Sequence, residues 1–565
     1  MTTSQYPAFF KKCLRSNDDA LKQYVRSDTT IASGFATNEP HGFYDRLWDF
    51  IEREDIHDLR IRQALFMAPH RLCLGDALQS RGMFADLAET EISKEKFLGL
   101  PIQQTVSILS NVARAANGIT RKVEGLKRLT DHYRRLQERR ITFASPFIGQ
   151  ATNIVIPSNA MTRLMCPEFV GRNTTRMGVT DMQSIHFPDA IDAMAYDPDG
   201  RPLIDTFVAI TTPPNADGYM SHGPANAANG EAVARIAERT NVNLLLYING
   251  RYPFTRGYTA PGTDNTIHVN DLAKLAEAGR LIVVEDDGKI PALPADSFAN
   301  PSPDELKIAE NAVNHIELNK HFTYGRAIQV GIGGTGVLVI RALKDSSWHG
   351  RSYTEMLEPF TLDLFDSGKI KGSHFIETDG RRTQLDGKLV CTFTIAEENS
   401  GFYERIDNNP AVVLAPASRV VIPAGFVGGL GVNNCLAVDF HGHVNSGGRF
   451  TNHHSGVGGG AVIHRGLLDG GVAYLCLKST YRTQDGKLRS SITPFMERGT
   501  PISHIGPDLM GGRNGARAFL VTEHGIAQVS GRTQSEFIRA LISIAAPEFR
   551  DWLAREAFEQ FRVRV

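Results

Sequence analysis

Leu203-Ile-Asp-Thr-Phe-Val-Ala-Ile-Thr211, then Pro213-Pro-Asn-Ala-Asp-Gly218, then Glu231–Arg239, then Asn243-Leu-Leu-Leu-Tyr-Ile248: the order of these four segments decides the fold class. The first is a short apolar run rich in β-branched residues, which reads as a buried strand. The prolines, asparagine and glycine of the second form a turn. Glu231–Arg239 then reads as a helix and Asn243–Ile248 as another apolar strand. Strand, turn, helix and strand at this spacing make βαβ units, and βαβ units imply a mostly parallel sheet.

Outward from that stretch the same alternation recurs. Thr30-Ile-Ala-Ser-Gly-Phe35 reads as a strand running into a turn, followed by a helix around Phe43–Glu52. Beyond it the pattern lapses over Asp286–Asp304, where Pro291, Pro294, Pro301 and Pro303 interrupt any regular element. Ala327–Val330 resumes as a strand, Val337–Leu343 as a helix, Ala518–Glu523 as a strand and Gln534–Ala545 as a helix. The expected architecture is α/β with two similar halves, 1–290 and 305–565, joined by a Pro-rich linker at 291–304. A helical insertion is expected at about 75–145. Within it, Arg121–Arg140 holds eight basic and three acidic residues, with Val123, Leu126, Leu129, Tyr133 and Leu136 at helical spacing. That pattern reads as an amphipathic surface helix with a solvated basic face; the alternative is a patch for a phosphorylated ligand.

Composition narrows the function classes. At 565 residues the chain is too long for one core, and 61 basic against 62 acidic residues give a net charge of −1. Neither nucleic acid nor an anionic membrane is expected as the main partner. No run approaches the ~18 apolar residues of a membrane span. Met1–Arg15 lacks the apolar core of a secretory signal, so a cytoplasmic location is expected. The six cysteines, at 13, 73, 166, 391, 435 and 476, form no C-x-x-C pair and read as reduced, buried thiols.

Glycine, at 52 residues, is the unusual number, and many of these glycines fall between 325 and 515. Gly331-Ile-Gly333-Gly-Thr-Gly336 follows an apolar strand and opens a helix, with Glu355 nineteen residues beyond Gly336. On spacing alone this is a dinucleotide fingerprint. We reject that reading here because Trp348–Thr354 looks too polar to be the second buried strand that should deliver the acid. Ser455-Gly-Val-Gly-Gly-Gly460 forms another glycine turn, of the kind whose N–H groups can converge on an oxyanion.

Taken in order, these pieces resemble the acetyl-CoA hydrolase/transferase branch of the class I coenzyme A transferases. Gln329-Val-Gly-Ile-Gly333 resembles that family's first glycine loop, and Tyr353-Thr-Glu-Met356 the segment that supplies its catalytic glutamate. Val432-Asn-Asn-Cys-Leu-Ala-Val-Asp439 with Gly442-His-Val-Asn445 resembles the strand and turn carrying an active-site asparagine. Ser455-Gly-Val-Gly-Gly459 resembles the second glycine loop, and Val521-Thr-Glu-His-Gly-Ile-Ala527 and Ala546-Pro-Glu-Phe-Arg550 two C-terminal stretches. Thr211–Gly223 is similar to a turn in the family's first half. Departures exist: Leu357-Glu358-Pro359 stands where the family usually runs on to Asp-Gly, which makes Glu358 a rival carboxylate.

The resemblance implies two similar α/β domains with the active site between them, and transfer of CoA from an acyl-CoA to a carboxylic acid. Glu355 is the implied nucleophile and Asn433 an active-site amide; Gly331, Gly333, Gly456, Gly458 and Gly459 are the implied oxyanion and CoA-binding positions. No cofactor or metal is expected beyond the CoA thioester itself, and a homo-oligomer is implied. The alternatives are an acyl-CoA hydrolase on the same fold, an NAD-dependent dehydrogenase, and a metal-dependent hydrolase using Asp439, His441, His443, His453 and His454.

Overall fold

The computed structural model describes residues 6–63, 70–75, 131–132, 134–147, 180–258, 265–293, 297, 299–331, 333–372, 375–378, 381–449, 452–453, 456, 458–483 and 487–565. They pack into two compact units, 1–297 with 393–416, and 298–392 with 417–565. The sequence reading had kept 393–416 with the C-terminal half. Backbone bridges account for its place in the first unit: Phe393 pairs with Ala225, Val413 with Arg256, and Glu397 with Leu293.

The first unit is built on a parallel sheet of β1 (Thr30–Ser33), β2 (Arg60–Arg62), β3 (Thr142–Ser145), β4 (Thr180–Met182), β5 (Thr206–Thr211), β6 (Asn243–Asn249) and β7 (Leu281–Asp286). Their spatial order is β4-β3-β2-β1-β5-β6-β7, and every pairing is parallel. All six residues of β5 are buried, as a strand covered on both faces requires. Helix α1 (His41–Arg53) buries Phe43, Tyr44, Leu47, Trp48, Phe50 and Ile51, the stripe that a 3.6-residue period aims at the sheet. Helix α2 (Asn229–Arg239) ends at Thr240, whose φ of 53° is a left-handed cap.

The basic stretch 121–140 is described only at 131–132 and 134–140. There Arg135, Arg139 and Arg140 pair with Glu52, Asp55 and Asp58, so the basic face at this end is neutralised by acids of its own unit. Most of the expected insertion at 75–145 lies outside the described residues.

The second unit opens with helix α3 (Pro303–Leu318), and here the sequence reading needs correction. Pro303 does not interrupt an element; it starts one, at the first helical position, where its missing N–H costs nothing. Ser302 caps the helix reciprocally with Glu305: Ser302 Oγ accepts the Glu305 N–H (3.3 Å) and the Glu305 carboxylate accepts the Ser302 N–H (2.8 Å).

Its sheet contains β8 (Ala327–Val330), β9 (Arg351–Tyr353), β10 (Leu389–Cys391), β11 (Leu430–Asn434), β12 (Val472–Cys476), β13 (Arg517–Thr522) and β14 (Gly525–Gln528). The order is β10-β9-β8-β11-β12-β13-β14, parallel except for the β13–β14 pair. Helices α4 (Gly334–Leu343), α5 (Pro359–Asp366), α6 (Gly460–Leu467) and α7 (Gln534–Ser543) belong to the same unit. Trp348–Thr354 contains β9, with Ser352 and Tyr353 buried, so it is a sheet strand and not a polar lead-in. Trp348–Thr354 therefore supplies the buried second strand that a dinucleotide site needs, and the contacts of Glu355 decide that reading.

Cys13, Cys391, Cys435 and Cys476 are free and buried. Among the described residues no helix is long and apolar enough to cross a membrane.

Arg326 fastens the amino ends of three neighbouring strands. Its guanidinium donates to the carbonyls of Gly428 and Gly470, each at 2.6 Å, and to that of Phe322. Replacing it by methionine strands two half-buried carbonyls. Urea unfolding of Arg326→Met should show a loss of about 2–3 kcal/mol; an unchanged midpoint would remove the clamp from the account.

Candidate active site

In an open parallel sheet the loops at the carboxyl ends of two adjacent strands diverge where the winding reverses, and that gap accepts ligands. The second unit reverses between β8 and β11: the chain runs outward through β9 and β10, then returns to build β11, β12 and β13 on the other side. The glycine loop Gly331–Gly336 leaves β8 there, Glu355 follows β9, and Asn433 and Asn434 end β11. Gly331, Gly333, Glu355 and Asn433, all taken from the sequence, thus lie at the carboxyl ends of three adjacent strands.

Glu355 sits two residues beyond β9, its backbone carbonyl accepting the Thr392 N–H at 3.0 Å. Thr354 secures the approach, accepting the Val330 N–H (3.4 Å) and donating to Met356 O (3.0 Å). The Glu355 carboxylate is buried and its Oε1 accepts the backbone N–H of Gly459 at 3.1 Å. Burial pushes its pKa from 4.5 up to about 7, and the Gly459 N–H offsets part of that rise by favouring the charged form. A Cβ at Gly459 would lie 2.4 Å from Val421 Cγ1 and 3.0 Å from Glu355 Oε1, so any side chain there displaces those groups. Gly458 beside it has φ of 56°, a left-handed turn that lets the loop deliver the next N–H. Gly456 lies buried in the same loop.

Glu358, the rival carboxylate, has a different job. It is the cap residue of α5, accepting the N–H of Phe360 (2.6 Å), the N–H of Thr361 (3.1 Å) and the Thr361 hydroxyl. Burial pushes it up to about 7 as well, but its oxygens are committed to the helix end.

Asn433 is brought to the first glycine loop. A Cβ at Gly331 would meet Asn433 Oδ1 at 2.5 Å, and one at Gly333 would meet Asn434 Nδ2 at 2.3 Å. Three polar groups here were missed by the sequence reading. Gln329 Nε2 lies 3.4 Å from Asn433 Oδ1 and fixes which end of that amide faces inward. Asn434 Nδ2 is buried without a hydrogen-bond partner. Glu523, beyond the end of β13, accepts the Ser479 N–H (3.0 Å) and hydroxyl. Its stretch Val521–Ala527 was noticed in the sequence without a role; a glutamate directly after a buried strand was the available signal.

The histidine cluster resolves into a turn. Asp439 Oδ1 accepts the backbone N–H of His441 (3.0 Å) and of His443 (2.9 Å), while Oδ2 meets His443 Nδ1 (2.9 Å) and the Met496 N–H (3.0 Å). Both oxygens organise the loop, and the His441 ring packs 5.2 Å from Phe561. The side chain of His453 and all of His454 lie outside the described residues. The dinucleotide reading meets its obstacle here too: the acid that should take a ribose hydroxyl is held instead by a second glycine loop.

Fold and site together define a doubly wound α/β protein whose switch point holds a buried carboxylate against a backbone donor. Residues 399–557 match the profile of the acetyl-CoA hydrolase/transferase C-terminal domain. The chain is 30% identical over 368 residues to succinyl-CoA:cyclohexane-1-carboxylate CoA transferase of Geobacter metallireducens, covering 64% of this chain and 72% of that one. It is 28% identical over 363 residues to 4-hydroxybutyrate coenzyme A transferase of Clostridium kluyveri, covering 63% and 73%. The crystal structure of RipA from Yersinia pestis has the same fold, with a TM-score of 0.67 over 98% of this chain and 99% of that one at 21% identity. The chain belongs to the acetyl-CoA hydrolase/transferase family, a branch of the class I coenzyme A transferases.

Gly459→Ala isolates the contact that organises this site. Its backbone, at φ −91° and ψ −3°, accepts alanine without strain, so the added methyl acts on Glu355 and Val421 alone. We expect a folded protein with kcat reduced about 100-fold, as displacement of a reacting group by about 1 Å produces. Turnover at the wild-type rate would show that the contact is incidental.

Proposed function

We propose that this protein transfers coenzyme A from an acyl-CoA to a carboxylic acid, with Glu355 as the nucleophile. The observation that carries the reading is the buried Glu355 carboxylate held by a single N–H from the second glycine loop. A carboxylate stripped of water is a stronger nucleophile, and its adducts are protected from hydrolysis.

On this reading Glu355 Oε attacks the donor thioester carbonyl and expels CoA thiolate, leaving an acyl-glutamyl anhydride. The thiolate then attacks the glutamyl Cδ carbonyl and displaces the first carboxylic acid as its carboxylate, leaving a glutamyl-CoA thioester. The acceptor carboxylate attacks that same carbonyl, forming a new anhydride and releasing the thiolate. Attack of the thiolate on the acceptor's acyl carbon yields the new acyl-CoA and restores Glu355.

In each attack at Cδ the developing negative charge falls on a glutamate oxygen. The Gly459 N–H already points there, so the donor needs no reorganisation. On this reading the Asn433 amide, with Gly331 and Gly333 beside it, receives the thioester. No cofactor is required, because the thioester carries the energy that drives both halves. A cytoplasmic homo-oligomer completes the proposal.

Two measurements test it. The first mixes the protein with a panel of acyl-CoAs, acceptor omitted, and maps adducts by peptide mass spectrometry after borohydride. A CoA-sized adduct or a reduced glutamate at Glu355 is expected. Adduct at Glu358, or steady CoA release without adduct, would overturn the assignment, the latter in favour of a hydrolase.

The second uses the Glu355 acid itself. Its native pKa of about 7 exceeds the ordinary 4.5, so the native state holds a proton that the unfolded chain releases. Stability from this group is present below the unfolded value and is lost as pH rises from there through 7. Glu355→Gln should abolish transfer and yet unfold at higher denaturant at pH 8, by up to about 3 kcal/mol, with the gain vanishing near pH 4. For wild type, kcat/KM should fall about tenfold per pH unit below 7 as the nucleophile is protonated. A pH-independent rate from pH 5 to 8 would contradict a nucleophile with this environment.

A further inference from the structure

The first unit reverses its winding between β1 and β5, and the loops leaving β1 and β2 carry a second set of polar side chains. Glu39 follows β1, His41 begins α1, Asp45 lies one helical turn further on, and His70 follows β2. Glu39 and His70 are fully buried, and His41 is partly so. Each of Glu39, His41 and His70 offers one ligand atom, and those atoms lie within 4.8 Å of one another.

We propose that Glu39, His41 and His70 bind a divalent transition-metal ion of the zinc class. The assignment of nitrogens follows from what the rings already do. His41 Nε2 pairs with Asp45 Oδ2 at 3.2 Å, while His41 Nδ1 is buried and has no hydrogen-bond partner among the described residues. His70 Nδ1 faces Asp45 Oδ1 at 3.8 Å, leaving Nε2 against Glu39 Oε1. Asp45 therefore addresses the far nitrogen of both rings, as outer carboxylates do around metal-bound histidines, fixing tautomer and orientation. The near atoms are His41 Nδ1, His70 Nε2 and Glu39 Oε1.

Two imidazoles and one carboxylate form a borderline donor set suited to zinc, with a fourth tetrahedral position left over. Side-chain exposures of 29% at His41 and 43% at Asp45 open a path from solvent to the buried ligands. The rings are held by packing as well: His70 lies 4.6 Å from His41 and 5.0 Å from Tyr44, centroid to centroid. An ion here would tie the β1 loop, α1 and the β2 loop together. The sequence reading expected no metal, but it weighed only histidines of the second unit.

The test uses the full-length protein, stripped with chelator, equilibrated with zinc sulfate and desalted. Metal content is then measured by mass spectrometry and unfolding is followed by circular dichroism. Wild type should retain about one zinc per chain and unfold at a higher temperature with zinc than with chelator. His41→Ala and His70→Ala should each lose both the zinc and the shift. If His70→Ala fails to fold, His41→Ala decides alone, because its ring is partly exposed at a helix start. No stoichiometric zinc on wild type, or unchanged loading of a folded His41→Ala, would overturn the site and leave an ion-pair network.

Discussion

A carboxylate can be nucleophilic and shielded from water only if the chain removes its hydration without replacing it in full. Around Glu355 that constraint is met by burial with one backbone donor, the Gly459 N–H. The residual cost of desolvation appears as the pKa raised to about 7. Several features of the second unit follow from it. At Gly459 Val421 and the carboxylate crowd the space a Cβ would take, and Gly458 is left-handed so that the loop can turn its next N–H inward. Thr354 and Thr392 hold the backbone at Glu355 in place, the Thr392 N–H donating to the Glu355 carbonyl.

Both units wind in the same sense from a central first strand, and both place their concentrated polar chemistry where the winding reverses. In the first unit Asn38 spans the reversal, its Oδ1 accepting the Ile210 N–H at 3.2 Å, directly before Glu39. In the second, Gln329, Asn433 and Asn434 occupy the corresponding edge. The parallel sheet offers such a gap without side-chain design, because adjacent strand ends there lead in opposite directions. Burial of polar amides at these edges is tolerable only with partners, which explains why the amides occur in bonded sets. Among the described residues Gln329 Oε1 and Asn434 Nδ2 are the exceptions at this edge, each buried without a hydrogen-bond partner.

Strands and helices with strong local patterns were legible in the sequence to within a few residues: β5, β6, β8, α2 and α7 lie where apolar runs and periodicity put them. What was not legible depended on neighbours. Arg351–Tyr353 looks polar because one of its three residues is arginine, yet Ser352 and Tyr353 are buried by the strands on either side. Pro303 reads as a breaker until Ser302 and Glu305 are seen to cap the helix it begins. Residues 393–416 carry no composition shift, so their membership in the first unit follows from pairings more than a hundred residues away in sequence. The site was legible as residue types in family order, but the contacts were not: Gly459 reaches Glu355 while Asn433 is drawn to the other loop.

The two buried glutamates three residues apart show why burial and pKa alone do not select a nucleophile. Both are pushed up to about 7 by desolvation. Glu358 spends its oxygens on two backbone N–H groups and a hydroxyl at the start of α5, which its removal would leave uncapped. Those same bonds withdraw electron density from the carboxylate and fix it against the helix end. Glu355 accepts one bond through Oε1, and in the proposed mechanism the loop that provides it would follow the charge as the carbon becomes tetrahedral. The distinction rests on unsatisfied acceptor capacity: a structural carboxylate is saturated by the protein, whereas a reactive one is left partly unsaturated and enclosed, so that the substrate completes its coordination.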